Sequence, residues 1–414
     1  MALDPTPTLD VNGAELIVRF LEAHGVTHVF AAPPSAAGAL LPLRRALADA
    51  RLTQVFAAQE QSVGHIAQGY ARSSGRAGVC LANAGAGVTQ MLTVIADAQA
   101  DAVPLVVICG ENTPGAGVQT RRGPGLRAGH VVDTLTKTHF EVRAVDDLVD
   151  VLPEAFRIAE SGRPGPVVIV VPASAQTARI KLHGLPRAAA IEAGDQDDLR
   201  PDWHAHLAEL RRARCDDDRA RSRSGLIRTV AQTLGDDAIV VCDGGEVQRW
   251  IAQDYPRLRA DRWLTSGELG ISGFALPAAI GAALARPGLP VVAFCDAAGT
   301  LPQLQALATL DDLQLDVKLV LLDAMAVALR HGATALAQPR RYLGPLAPRT
   351  SGTCALAESF GVPVLDLGRT GDPLSGVREA LRQPGPVLIR TPSDQLVPLL
   401  PRAVPTRARS ARLH

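Results

Sequence analysis

Short continuous runs rich in Val, Ile and Leu recur along this chain, alternating with longer stretches whose apolar residues repeat at helical spacing. A strand without polar positions needs cover on both faces, so such runs belong in a parallel sheet between helices rather than in a sheet with one wet side. In the first half the runs fall at Val26–Ala31, Thr53–Ala57, Gly78–Ala82, Pro104–Cys109 and Pro166–Val171. Helical patterns lie between them at Gly13–His24, which stops at Gly25, and at Gln59–Arg72 and Gly87–Ala98. A second set of strands is expected at Ala238–Cys242, Pro290–Cys295, Val317–Leu322, Val362–Leu367 and Pro386–Thr391.

The resulting division is an α/β domain over residues 8–175, a connector over 176–224, a second α/β domain over 225–396 and a flexible tail over 397–414. The connector is richer in charge, with a helix expected at Asp202–Arg214, and the tail is Arg-rich without periodicity. Each α/β domain should be a doubly wound parallel sheet. No repeat relates the two halves, so they read equally as two domains of one type or as unrelated units. The length of 414 residues agrees with more than one core, and 47% apolar against 20% charged residues is the balance of a folded chain.

Lys plus Arg and Asp plus Glu number 42 each, so no bulk field draws the chain to nucleic acid or an anionic membrane. No apolar run is long enough for a spanning helix, and Met1–Asp10 lacks the pattern of a signal peptide, so a cytoplasmic protein is expected. The six Cys lie far apart without a CxxC pair, which suits buried small hydrophobes better than a disulfide framework or zinc site. Neither the G-x-G-x-x-G spacing of a dinucleotide fold nor a Walker-type loop is present.

More specific are the stretches Ala57-Ala58-Gln59-Glu60-Gln61-Ser62-Val63-Gly64-His65-Ile66-Ala67-Gln68-Gly69-Tyr70-Ala71-Arg72, Gly85-Ala86-Gly87-Val88-Thr89, Ile95-Ala96-Asp97-Ala98 and Ser161-Gly162-Arg163-Pro164-Gly165-Pro166-Val167. In order along the chain they resemble the pyrimidine-binding domain of thiamine-diphosphate (ThDP) enzymes of the acetolactate synthase large-subunit type. Arg262-Trp263-Leu264-Thr265-Ser266-Gly267 and Gly273-Phe274-Ala275-Leu276-Pro277-Ala278-Ala279-Ile280-Gly281-Ala282 resemble that family's diphosphate-binding domain. The family's central domain, which helps hold FAD in acetolactate synthases, does not fit in the connector. The arrangement is thus similar to the two-domain phosphonopyruvate and sulfopyruvate decarboxylases, and FAD is not expected. The resemblance further implies a homodimer or homotetramer with active sites at subunit interfaces. It assigns Glu60 as the carboxylate that hydrogen-bonds the pyrimidine ring and moves protons. A glutamate interacting with its own helix dipole is the plainer reading of that residue.

The sequence departs from the family where Mg2+ is held. Aligned without gaps, the family's Gly-Asp-Gly turn falls on Asp296-Ala297-Ala298, placing Ala297 at the ligand Asp. Its Asn-Asn pair falls on Asp323-Ala324, placing Ala324 at the ligand Asn. A methyl group cannot coordinate Mg2+, which demands oxygen donors. Gly245 and Gly270 are also assigned to the cofactor, with Glu246 where the family has a neutral polar residue and Ser272 where it has the bulky residue that bends the cofactor. At an effective dielectric near 20, unit like charges about 4 Å apart oppose each other by roughly 4 kcal/mol, so Glu246 should repel a diphosphate. A register shift of one residue would instead make Asp296 and Asp323 the ligands, against the alternation of strand faces.

The family's Phe-Gln-Glu loop maps on Gly123-Pro124-Gly125 and its downstream Arg on Asp133. In that loop Arg121, Arg122 and Arg127 could clamp a carboxylate or phosphonate, or form a solvated run, and Arg330 with His331 is a candidate of the same kind. The expected function is an enzyme acting on a small carbonyl or carboxylate metabolite in a former ThDP pocket, with no conventionally bound cofactor. The alternatives are a conventional ThDP-dependent decarboxylase or carboligase with Mg2+, and a noncatalytic partner subunit.

Overall fold

The computed structural model describes residues 8–34, 38–83, 85–111, 128–187, 223–256, 258–322 and 350–391. The expected helix at 202–214 and the tail lie outside them. The first sheet has six parallel strands, β2 (His28–Ala31), β3 (Thr53–Phe56), β4 (Gly78–Asn83), β5 (Leu105–Glu111), β6 (Thr138–Glu141) and β7 (Pro166–Pro172), in the order β3-β2-β4-β5-β7-β6. The second is built likewise from β9 (Ile239–Cys242), β10 (Trp263–Thr265), β11 (Val291–Asp296), β12 (Val317–Leu322), β13 (Val364–Asp366) and β14 (Val387–Arg390), in the order β10-β9-β11-β12-β14-β13. Counted from its own first strand, each sheet runs 2-1-3-4-6-5. The question that sequence left open is thereby answered: the two halves are α/β domains of one topology.

The central strands behave as their composition requires, with β5, β11 and β12 buried almost throughout. The strands that the apolar runs did not signal are β6 and β10, both sheet edges, and the pair β1 (Leu9–Asn12) and β8 (Arg179–Leu182). Edge strands are short and partly solvated, so they carry no continuous apolar run. β1 and β8 pair antiparallel, with Val11 opposite Ile180. The chain beyond residue 175 therefore continues on the first domain as the helix Ala173–Thr177 and β8 before the connector proper begins.

The two domains share one apolar cluster. It runs from Val63, Ile66 and Tyr70 of the helix Glu60–Ser74 into Phe274, Ala278 and Ile280 around the helix Ala275–Ala285, and on to both sheets. Small residues let these helices meet backbone to backbone: a Cβ on Gly69 would strike the Ala278 carbonyl, and one on Gly281 the Ile66 carbonyl. At this close approach only glycine fits.

A polar frame surrounds that contact. Fully buried Asp97 accepts hydrogen bonds from Ser266 Oγ (2.5 Å) and Arg72 Nη2 (3.5 Å). Asp101 accepts from Arg72 Nη2 (2.8 Å) and from the Gly267 and Glu268 amides (2.7 and 3.0 Å). The Arg72 guanidinium also lies 5.3 Å from the centre of the Phe274 ring. Buried polar groups are costly unless paired, so this network fixes one relative placement of the two sheets. Among the described residues, no helix is long and apolar enough to cross a membrane.

Candidate functional site

In a doubly wound sheet, ligands bind beyond the carboxyl ends of the strands where strand order reverses. Here that point lies between β2 and β4 in the first domain and between β9 and β11 in the second. Each holds a cluster of polar groups.

In the first domain, Glu60 opens the helix Glu60–Ser74, whose N-cap, Gln59, makes no side-chain capping bond. The Glu60 carboxylate is half-buried and makes no hydrogen bond or ion pair with any described residue. It is kept clear by Gly87, since a Cβ there would lie 3.2 Å from Glu60 Oε1. Its position at a helix start agrees with both readings of the residue, because the dipole favours a carboxylate there.

Two further groups were not anticipated from sequence. Arg44, on the helix Leu41–Ala48, is 9% exposed; its Nη2 donates to the Ala32 carbonyl just past β2 (2.8 Å), and its Nη1 is buried without a partner. Burial pulls the Arg44 pKa down while the nearby Glu60 charge holds it up. Asn83 ends β4, and its Oδ1 is likewise buried without a partner.

In the second domain the hub is Asp243, fully buried just past β9. It accepts from the amides of Gly273 (3.0 Å), Ala275 (2.8 Å) and Asp296 (2.7 Å), drawing the ends of two strands and the start of the helix Ala275–Ala285 into one knot. Burial, more than the neighbouring Asp296 charge, pushes its carboxyl up to about 7 despite those three donors.

Around that knot stand the residues the resemblance assigned. Asp296 is the N-cap of the short helix Ala297–Thr300, its Oδ2 accepting from the Gly299 amide (3.1 Å). Ala297 is 1% exposed, and Ala298 is half-buried. The exposed Ser272 packs its hydroxyl against Gly299, where any side chain would collide. Gly245 (φ 78°) precedes the helix Glu246–Asp254, and Gly270 (φ 61°) lies against Gly244 so closely that a Cβ on Gly244 would strike it. Glu246 pairs with Arg249 one turn on, so the isolated charge expected at this position is in part neutralised. The pair is exposed and contributes little stability.

The two clusters approach each other through residues 301–309. Ser62 Oγ donates to Gln303 Oε1 (2.5 Å), and Gln305 Nε2 donates to Gln59 Oε1 (2.9 Å) and Ser62 Oγ (3.0 Å). Gln303 also flanks Gly273, where a Cβ would lie 3.1 Å from its Cγ. No hydrogen bond or ion pair among the described residues joins Glu60 itself to the Asp296 turn. Arg121, Arg122, Arg127, Asp323, Ala324, Arg330 and His331 lie outside the described residues. Asp133, on which the resemblance placed the family's Arg, is exposed and pairs with His139 at 3.3 Å.

The description "thiamine pyrophosphate enzyme, N-terminal TPP binding domain" fits residues 11–119, and its C-terminal counterpart fits residues 243–391. With two parallel six-stranded sheets carrying these segments, the chain belongs to the thiamine pyrophosphate enzyme family, as an acetolactate-synthase-like enzyme. It is 28% identical to the acetolactate synthase isozyme 1 large subunit of Escherichia coli (strain K12), over 545 aligned residues covering 94% of this chain and 96% of that one. It is 25% identical to the isozyme 2 large subunit of the same organism, with 97% and 99% covered. Over a shorter stretch of 204 residues it is 36% identical to acetolactate synthase of Mycobacterium bovis, covering 49% of this chain and 31% of that one.

Proposed function

We propose that this enzyme makes or breaks a bond beside the carbonyl or carboxylate of a small metabolite, and that it does so without conventionally bound Mg2+–ThDP. The observation that carries this reading is the buried methyl of Ala297 at the position aligned with the family's magnesium ligand. The donor set does not fit the metal there: Ala297 supplies no oxygen, and the neighbouring Asp296 carboxylate is engaged in capping its own helix. The turn contains no residue of positive φ at 296–298, so it has become an ordinary helix start. Glu246, in part neutralised by Arg249, adds a carboxylate next to Gly245, which the resemblance assigns to the cofactor.

Glu60 is the proton-transfer group of this reading. It is half-buried, unpaired among the described residues, and placed beside space that Gly87 leaves open, so it can reach a proton on a bound molecule. The absence of a central domain, and with it of FAD, is supported by an alignment to the isozyme 1 subunit that runs over 545 residues and must open gaps against a chain of 414. A homodimer or homotetramer of cytoplasmic location completes the proposal. Phe56 and Leu269, 40% and 49% exposed, are apolar side chains that a second subunit would cover.

Isothermal titration calorimetry with ThDP and Mg2+ tests the reading. No saturable heat at micromolar concentration is expected, and metal-dependent micromolar binding would remove it in favour of a conventional ThDP decarboxylase or carboligase, the reading that family membership itself favours.

A further inference from the structure

Glu60 begins a helix that does not cap itself. The first amides of a helix have no partner within it, and Gln59, the N-cap, makes no side-chain bond to them. The hold on this first turn comes from the second domain. Ser62 Oγ donates to Gln303 Oε1 at 2.5 Å, while Gln305 Nε2 donates to Gln59 Oε1 at 2.9 Å and to Ser62 Oγ at 3.0 Å. One turn further on, Thr309 Oγ1 donates at 2.9 Å to the carbonyl of Phe56, where β3 ends. Ser62 is 0% and Gln303 3% exposed, so the bond between them is shielded from competing water. Glu60 therefore lies between two residues, Gln59 and Ser62, that are both pinned from across the domain contact. The amides and the hydroxyl that pin them are neutral, and they fix the backbone without placing a charge next to a group that has to gain and lose a proton. The charged frame of Arg72, Asp97 and Asp101 stands instead at the far end of the same helix.

We propose that Gln303 and Gln305 are positioning residues for Glu60, holding the first turn of its helix from the second domain so that the carboxylate keeps one direction toward a bound molecule. The assignment rests on the reading of Glu60 as the proton-transfer group, a role it has both in the proposed function and in the conventional alternative. A misplacement of about 1 Å can cost a reacting group roughly a hundredfold in rate, so a first turn left to fray would be a poor platform for it.

The test is carbodiimide coupling of glycinamide to the full chain, with the rate at Glu60 read by peptide mass spectrometry and the exposed Glu154 as internal standard. Gln303→Leu and Gln305→Leu should each speed coupling at Glu60 by about fivefold, the factor that corresponds to one lost hydrogen bond of about 1 kcal/mol, and leave Glu154 unchanged. Ser62→Ala together with Gln303→Leu separates positioning from stability. It removes both partners of the buried bond, so the unfolding midpoint should recover most of what Gln303→Leu alone loses, whereas coupling at Glu60 should stay fast. Unchanged coupling at Glu60 in the folded variants overturns the assignment, and so does coupling that slows again as the midpoint recovers. Should Gln303→Leu not fold, Gln305→Leu, at a half-buried position, decides. Metal-dependent ThDP binding would remove the proposed function and leave this assignment to stand or fall on the coupling rates alone.

Discussion

Replacing His65 by Gln should change the way stability depends on pH. His65 lies in the helix contact between the two domains; it is 0% exposed, both ring nitrogens lack partners, and its ring stands edge-on to Phe274 at 5.5 Å. Burial, reinforced by the Arg72 charge, pulls its pKa from 6.5 down to about 3. Because the folded value is depressed, the contribution is fully present above the unfolded value and is lost as pH falls from 6.5 toward 3. Integrated between pH 7 and pH 5, the loss is about 2 kcal/mol. Asp243 works in the opposite sense: with its pKa raised to about 7, its contribution is complete below the unfolded value and is lost as pH rises through 7. It is common to both proteins and cancels in their difference. Urea unfolding of wild type and His65→Gln at both pH values measures that difference. The variant should be less stable at pH 7, and the gap between the two should shrink by about 2 kcal/mol at pH 5. Parallel profiles would refute the reasoning, since they would mean that His65 is solvated or paired in the folded protein.

Gly281→Ala should lower stability by about 3 kcal/mol or more in the same assay, because the added methyl meets the Ile66 carbonyl, which cannot move without parting the helices. Glu60→Gln should leave the unfolding midpoint nearly unchanged and reduce any turnover by about a hundredfold or more, measured as loss of substrate by NMR. If the proposed function holds, the double substitution Ala297→Asp with Ala324→Asn should give metal-dependent ThDP binding where the wild type gives none, read by calorimetry.

How far the sequence could be read follows from where each signal originates. Strands such as β5 and β12 were legible because burial on both faces leaves an unbroken apolar run. β6 and β10 were not, because an edge position tolerates Thr138, His139 and Glu141, or only three residues in all. That the two domains share a topology was invisible, since strand order depends on which crossover passes which face. Glu60 was singled out through its motif and Ala297 through an alignment without gaps, and both remain part of the proposal rather than of the fold. Arg44 was hidden because an arginine beside Arg45 on a short helix reads as a solvated face, and only tertiary packing buries it. Asp97 was read as part of a motif, yet its role as a strut appears only when Ser266, far along the chain, comes within 2.5 Å.

The central claim is that no metal-held diphosphate sits at the end of β11. Crystals grown with ThDP and Mn2+, a scatterer that takes the place of Mg2+, address it directly through the anomalous signal. The account predicts no anomalous peak beside Ala297 and no ordered diphosphate against Gly245 and Glu246. A manganese ion bound there by Asp296 and Asp323, with intact ThDP reaching toward a glutamate at position 60, would contradict it.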